Sequence, residues 1–473
     1  MTTETACTTI LVGKKATIDG STMIARNDDT FLPITPQRFH MQAAYNEKGR
    51  IFKSKKNNFT AELPQRGLRT PFTPNVDLDK EGYYGESSIN EANVAMSCTE
   101  SVYGNQRALA HDPLVPDGLL EESMQHMVAP YIHSAREGVE YLGQLIKKYG
   151  SPEGNGVLFA DNDEVWYMEI VTGHHWAATR IPDDSYAIAA NQVAQQQIDF
   201  DDPDNYMWSE GLREFVDAHH LNPDREGFNF RKIFGTDTEK DRHYNTPRVW
   251  YGQKCFNPEI DQDPESSELP FIRKANRLLA LEDLEYVLSS HYNETQFDPL
   301  GHGSDADKVR YRPICLNRTQ NSHILQLRND VPHDQAALMW VCFGVPAFTP
   351  YVPFYTNAND TDPSWSNTPL EFDVSSAYWM YRELSMLVES HHAHFIQDDL
   401  DYLTAARETK HRMLAQADAE AAKLSGNDLT EFLTKQNYAM VAEMRNRTMK
   451  MIGHFVTEGL KLSKLTFNMD KNL

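Results

Sequence analysis

The sequence predicts an α+β protein. Three observations carry that expectation: two short apolar runs joined by Asp19-Gly20 open the chain, four more lie between residues 156 and 190, and apolar positions recur at helical spacing from about residue 375 onward.

Taken in order, Thr8 to Gly13 and Ser21 to Arg26 read as the two strands of a hairpin, with Asp19-Gly20 supplying turn chemistry between them. Cys7 then stands at the start of the first strand and Arg26 at the end of its partner. Residues 46 to 90, rich in Lys, Asn, Pro and Gly, read as loops with short strands, and a strand resumes from Asn93 to Cys98. Ile132, Val139, Leu142, Leu145 and Ile146 give the stretch from about 129 to 149 one apolar helical face. Gly156 to Ala160, Val165 to Val171, Trp176 to Arg180 and Tyr186 to Ala190 read as strands, divided by turns such as Asp161-Asn162-Asp163 and Pro182-Asp183-Asp184-Ser185; the last delivers Asn191 at its end. Loops and helices heavy in Asp, Asn and Pro fill 200 to 275, and Ser322 to Leu327 and Ala336 to Phe343 return to β character. Tyr378, Tyr381, Leu384, Leu387 and Val388 open a helical region that Ser425-Gly426-Asn427-Asp428 interrupts before a last helix.

Composition excludes some function classes. The 45 basic and 68 acidic residues leave a net charge of -23, which argues against non-specific binding to nucleic acid or to an anionic membrane surface. No apolar run approaches the ~18 residues that a membrane span needs. Five widely spaced cysteines with no CxxC pair favour a reducing compartment over a disulfide framework. The opening Met-Thr-Thr-Glu-Thr-Ala has neither the basic nor the apolar region of a signal peptide, so the expectation is a soluble, cytoplasmic protein. At 473 residues, one large domain with a helical extension and two domains are both open, as is a homo-oligomer.

The weaker motifs take their ordinary readings. His391-His392-Ala393-His394 lacks the HExxH pattern, carboxylate partner or cysteine pair that would complete a metal site, and Gly301-His302-Gly303-Ser304 lacks the ending of a phosphate loop. No GxSxG elbow marks a serine nucleophile. Neither a metal nor a cofactor is expected.

Cys7 is different because of where it lies. An isolated strand cysteine is usually a small core residue. If residues 1–6 are removed, however, Cys7 carries both a thiol and a free α-amine, whose pKa of ~8 suits it to accept a proton at neutral pH. Arg26, at the far end of the hairpin partner, can return a guanidinium to the thiol, and Asp28 and Asp29 can orient the new ammonium and hold the arginine.

The segments Ala6-Cys7-Thr8-Thr9-Ile10-Leu11-Val12-Gly13, Asp19-Gly20-Ser21 and Arg26-Asn27-Asp28-Asp29 resemble the opening of the C69 family of dipeptidases, in particular the dipeptidase A type of lactic acid bacteria. The resemblance continues through Ile89-Asn90-Glu91 to Thr99-Glu100-Ser101, Val165 to Ile170, Ala190-Asn191-Gln192, Tyr244 to Trp250, Arg318-Thr319 and Ser322-His323. It implies a four-layer αββα N-terminal-nucleophile hydrolase with two mainly antiparallel sheets, akin to penicillin V acylases and bile salt hydrolases. It also implies removal of residues 1–6, a catalytic domain over 7–350 and a helical region over 351–473 that packs on or completes it.

By the same resemblance Cys7 is the nucleophile, Arg26 and Asp29 match the arginine and aspartate that follow the first hairpin, Asn191 matches an oxyanion-hole donor, and Arg248 matches a later active-site arginine. Glu100 stands where the acylases carry a second asparagine, and an ionised carboxylate cannot donate to an oxyanion. A dipeptide carries an ammonium and a carboxylate, so Glu100 or Asp28 is the expected ammonium anchor and Arg248 the expected carboxylate anchor. The same machinery on another amide, as in the acylases, and an interaction role like that of the secernins remain open at this point.

Overall fold

The computed structural model describes residues 7–100 and 102–462, with backbone alone at Glu100. The expected leader, residues 1–6, lies outside the described residues. The chain begins with β1 (Thr8–Val12) and β2 (Thr22–Asp29), joined through a tight turn in which Ser21 donates from its backbone N–H and its hydroxyl to Asp19 Oδ1, while Gly20 takes φ +74. After several short hairpin strands come β3 (Ser87–Ile89), β4 (Ala95–Glu100), helix α1 (Glu121–Val128) and helix α2 (Ala135–Tyr149). A meander of β5 (Asn155–Ala160), β6 (Val165–Ile170) and β7 (Trp176–Ile181) follows, and the chain then crosses to β8 (Tyr186–Ala189), which pairs with β1. Then come β9 (Tyr206–Trp208), α3 (Thr246–Phe256), β10 (Ile272–Arg273), α4 (Leu281–Leu288), β11 (Thr319–Leu327), β12 (Ala337–Phe343) and β13 (Val352–Tyr355). Helices α5 (Ala377–Ser390), α6 (His392–Ala421) and α7 (Gly426–Lys461) close the described chain.

Two large antiparallel sheets result. One has seven strands in the order β10-β8-β1-β2-β11-β12-β13, the other six in the order β9-β7-β6-β5-β4-β3. Period-two alternation sorts their faces. Met96, Val157, Phe159, Trp166 and Met168 pack against Met124, Val139, Leu142 and Ile146 of α1 and α2. Leu158 and Tyr167, on the other face of the same sheet, join the core that contains Leu11, Ile24 and Leu325 of the seven-stranded sheet. That core continues through α4 to α7 as far as Phe455. The fold is therefore α+β with paired antiparallel sheets, as expected. Among the described residues no helix is long and apolar enough to cross a membrane.

Three boundaries differ from the sequence reading. β2 runs on to Asp29, so Arg26 sits inside the strand rather than at its end, and both aspartates belong to the strand rather than following it. Helix α2 starts at Ala135, not near 129, because Ser134 caps it by accepting from the Glu137 N–H and Pro130 sits in a separate short turn before it. β13 lies past residue 350 yet is the edge of the seven-stranded sheet, so the sheet itself reaches to 355 and the last helices share its core.

Candidate active site

Strand register gathers the first group of side chains. Thr9 pairs with Arg26 across β1 and β2, and Arg26 and Asp28 pair with His323 and Asn321 across β2 and β11. Alternation puts Cys7, Arg26, Asp28, Asn321 and His323 on one face, the face turned to the six-stranded sheet; His323 Nε2 meets Ser97 Oγ of β4 at 2.9 Å. Arg26 is fully buried there and paired with Glu86 through Nη2, with Asp28 Oδ1 at 3.4 Å and with Glu121 Oε1 at 3.3 Å.

Three carboxyl groups converge on one guanidinium, more acid than it alone can neutralise. Burial pushes Glu86 up to about 8, against the pull of Arg26. Glu86 also adopts φ +56, a left-handed conformation that costs a non-glycine residue on the order of 1 kcal/mol or more. Sequence reasoning missed Glu86 and Glu121; an isolated glutamate in a loop and another opening a helix carry no motif.

Cys7 is 1% exposed. Burial raises its thiol to about 12; Arg26 pulls it down, while Glu121, Asp28 and Asp29 add to the rise. Within the uncut chain it is therefore a protonated thiol at neutral pH, and desolvation outweighs the nearby guanidinium.

Asp28 and Asp29 are sequence neighbours that face opposite ways. Asp28 Oδ2 accepts from Gln37 Nε2 at 2.6 Å and from Asn321 Nδ2 at 3.5 Å, so both its oxygens are engaged by side chains of the protein. Asp29 pairs with Arg312 and accepts from the Thr319 hydroxyl. The expectation that both would hold Arg26 is met only by Asp28.

The second group centres on Arg248. A π-helical turn at Asp241–Asn245 leads into α3, with Pro247 in its first turn, and this places Arg248 beneath the start of β1. Its five N–H groups are all committed: Nε to Tyr244 O at 2.8 Å, Nη1 to Cys7 O at 2.6 Å and Thr8 Oγ1 at 3.0 Å, and Nη2 to Asn191 Oδ1 at 2.6 Å and Asn245 Oδ1 at 2.8 Å. Arg248 is fully buried, and burial, then Arg312, lowers its pKa to about 9. It has no donor left for a substrate carboxylate, so the carboxylate-anchor expectation for Arg248 does not fit this geometry. Because Asn191 Oδ1 receives Arg248, its Nδ2 is fixed as the donor end of the amide. Glu169 pins the loop that follows, accepting from the Ala194 N–H at 2.6 Å and the Gln195 N–H at 3.2 Å.

Around Tyr244 the charge changes sign. Arg248 and Arg312 lie 5.1 and 5.4 Å from its ring, Lys240 lies 5.7 Å away, and Arg318 Nη2 is 3.5 Å from its hydroxyl. Although burial alone would raise the Tyr244 phenol, these arginines hold it below its ordinary value. Arg318 is only half-buried. The site thus has an acidic side at Glu86, Glu121 and Asp28 and a basic side at Tyr244, with Cys7 and Asn191 linked through Arg248. The Glu100 side chain lies outside the described residues; its backbone pairs with Asn155 on β5.

The peptidase family C69 model matches residues 6–405. A probable dipeptidase of Latilactobacillus sakei is 56% identical over 99% of this chain and 98% of its own. Probable dipeptidase B of Lactococcus lactis is 43% identical over 98% of each chain, and dipeptidase A of Lactobacillus helveticus is 40% identical over 98% of this chain and 99% of its own. A crystal structure of a mutant conjugated bile acid hydrolase from Clostridium perfringens aligns with 72% of this chain and 89% of its own at 10% identity and a TM-score of 0.32, a likeness too slight to assign the fold by itself. With a family match over most of its length and full-length relatives at 40–56% identity, the chain belongs to peptidase family C69.

Proposed function

We propose that this protein is a cytoplasmic cysteine dipeptidase whose nucleophile is Cys7 after removal of residues 1–6. One observation carries the reading: Arg248 joins the Cys7 carbonyl, the Thr8 hydroxyl and the Asn191 amide in one buried hydrogen-bonded unit. The names of the relatives support dipeptides as substrates. The two sheets, with α1 and α2 outside one and α3 to α7 outside the other, support reading the fold as the αββα sandwich of an N-terminal-nucleophile hydrolase. Five free cysteines fit a reducing cytoplasm.

In maturation the Cys7 thiol adds to the Ala6 carbonyl, the Ala6–Cys7 C–N bond breaks as the thiol proton passes to the freed α-amine, and water hydrolyses the resulting thioester to release residues 1–6 and restore the thiol. The buried thiol, held near 12, lacks a strong base until that cleavage frees its α-amine. In turnover the amine takes the thiol proton, the thiolate adds to the scissile carbonyl, and Asn191 Nδ2 donates to the oxyanion. The amine returns the proton to the leaving amino acid, and water releases the second amino acid from the thioester. Arg26 holds the thiolate's charge, and Asp29, fixed by Arg312 and Thr319, orients the amine. Glu100 is the ammonium anchor, and half-buried Arg318 takes the carboxylate role that saturated Arg248 cannot.

Mass spectrometry of the purified protein, paired with a dipeptide panel, tests this. The active protein should begin at Cys7, and Cys7→Ser should abolish turnover. Full activity from a chain that retains residues 1–6 would sink the proposal. Glu100→Gln should raise KM for dipeptides far more than it lowers kcat; no change in either would remove Glu100 from its role.

A further inference from the structure

Among the short hairpin strands that follow β2, a cavity of about 270 Å³ opens between His40–Gln42, Ile51–Lys53 and the end of α1. Its charge is one-sided. Arg38, Arg50 and Lys53 line it together with His40 and Tyr83, and among the described residues no acidic side chain does. The chain as a whole has 68 acidic residues against 45 basic ones, so this local balance runs opposite to the rest of the molecule. Strand alternation gathers part of the lining: Phe39 and Met41 pack into the main core, and Arg38, His40 and Gln42 point the other way, into the cavity.

The three cations have no counter-charge. Among the described residues, the side chains of Arg38, Arg50 and Lys53 make no hydrogen bond or ion pair. Arg38 buries Nε without a partner, so Nη1 and Nη2 are the donors it keeps within reach of the cavity. Arg50 lies over the Tyr45 ring, 3.7 Å from its centre, a contact that orients the guanidinium and leaves its N–H groups unused. Cations just outside the cavity are paired instead, Lys55 with Asp79 at 2.7 Å and Lys80 with Glu81 at 2.8 Å. Burial, then Arg38, lowers the pKa of His40 against an opposing pull from Asp360, so the imidazole adds a neutral hydrogen-bonding group rather than a fourth charge. Like charges gathered in a concave site repel one another, and a multiply charged anion relieves that repulsion.

We propose that this cavity is a binding site for a phosphate or diphosphate group. Arg38 and Arg50 present guanidinium N–H groups to its oxygens, Lys53 adds a point charge, and His40 and the Tyr83 hydroxyl donate hydrogen bonds. A dipeptide does not suit the cavity, because its ammonium finds no carboxylate there, and a single carboxylate would leave two of the three cations unmatched. Phe52 and Tyr83, with ring centres 5.3 Å apart, supply an aromatic wall, so the group can arrive free or attached to a nucleoside. The cavity is distinct from the Cys7 site but shares its scaffold: Gln37, next to Arg38, donates to Asp28 at 2.6 Å, and α1, which carries His126 on the cavity wall, begins at Glu121, a partner of Arg26. The binding claim does not depend on the dipeptidase reading.

Isothermal titration of the full-length protein with inorganic pyrophosphate, inorganic phosphate and ADP, at neutral pH and about 0.15 M salt, tests it. Pyrophosphate should bind saturably, and phosphate about tenfold more weakly because it carries less charge. Arg38→Ala and Arg50→Met should each lose about tenfold in pyrophosphate affinity with unchanged unfolding midpoints, since neither side chain holds an ion pair. Lys53→Ala, on an exposed side chain, should weaken binding by a smaller factor and keeps the test open if an arginine variant folds poorly. Tighter binding of ADP than of pyrophosphate assigns the group to a nucleotide whose base lies on Phe52 and Tyr83; equal affinity assigns it to a free anion. Absence of saturable binding of all three anions overturns the proposal. So does pyrophosphate binding that Arg38→Ala and Lys53→Ala leave unchanged and Arg318→Met abolishes, because the anion then sits on the basic side of the Cys7 site.

Discussion

Arg248 Nη2 donates to Asn191 Oδ1 at 2.6 Å, so the arginine decides which end of the asparagine amide faces away as a donor. The same guanidinium holds the Cys7 carbonyl through Nη1, which ties the Asn191 amide and the proposed nucleophile to one rigid group. Lysine cannot reproduce a planar fork with five donors. Arg248→Lys should therefore lower kcat about as much as Asn191→Ala, by ~10²–10³, a loss typical of removing one oxyanion donor. Steady-state kinetics on one dipeptide check this, and a double variant no worse than either single one would show that the two residues act as a unit.

Arg318 should act on binding. Arg318→Met is expected to raise KM for dipeptides about tenfold while leaving kcat, and the KM for the corresponding dipeptide amides, nearly unchanged. An equal effect on the amides would mean that Arg318 does not recognise the carboxylate.

Asp399 gives the protein a pH-dependent stability. Its side chain is fully buried, both carboxylate oxygens lack hydrogen-bond partners, and burial alone raises its pKa to about 8. Between its ordinary value of 3.8 and about 8 the folded chain keeps this proton and the unfolded chain loses it. Stability should then fall as pH rises across that window, by up to about 1.4 kcal/mol per unit. Asp399→Asn should flatten that slope in denaturant unfolding measured from pH 5 to 8.

Gly13 closes β1 against the turn before β8. A Cβ there would lie 2.5 Å from both Pro182 O and Asp183 O, which are backbone atoms that cannot step aside. Gly13→Ala should destabilise the fold by ~1–3 kcal/mol. Because β1 and β8 lead to Cys7 and Asn191, it should also lower activity below the temperature at which the protein unfolds.

The strands and helices that build the site were legible because each has a strong local signal. Thr8 to Val12, Val165 to Ile170 and the helices from Ala377 onward carry apolar periodicity bounded by turn residues. The places of Cys7, Arg26, Asp29 and Asn191 on those elements were legible, while the roles proposed for them come from the family motif. Glu86, Glu121 and Arg312 were not, since each reaches the site from a segment without periodicity and stands 60 to 283 residues from its partner.

The sequence by itself determined the class of fold, the family, and a cysteine placed where cleavage could free its amine, because periodicity, turn chemistry and motif spacing are local properties of the chain. Only the tertiary structure decided what surrounds that cysteine. Burial makes the thiol a weak acid, three carboxylates converge on Arg26, and five neutral acceptors saturate Arg248. The physical reason is that desolvation and hydrogen-bond saturation depend on which distant segments meet, and so a residue that a family resemblance assigns to substrate can be wholly committed to holding its neighbours in place.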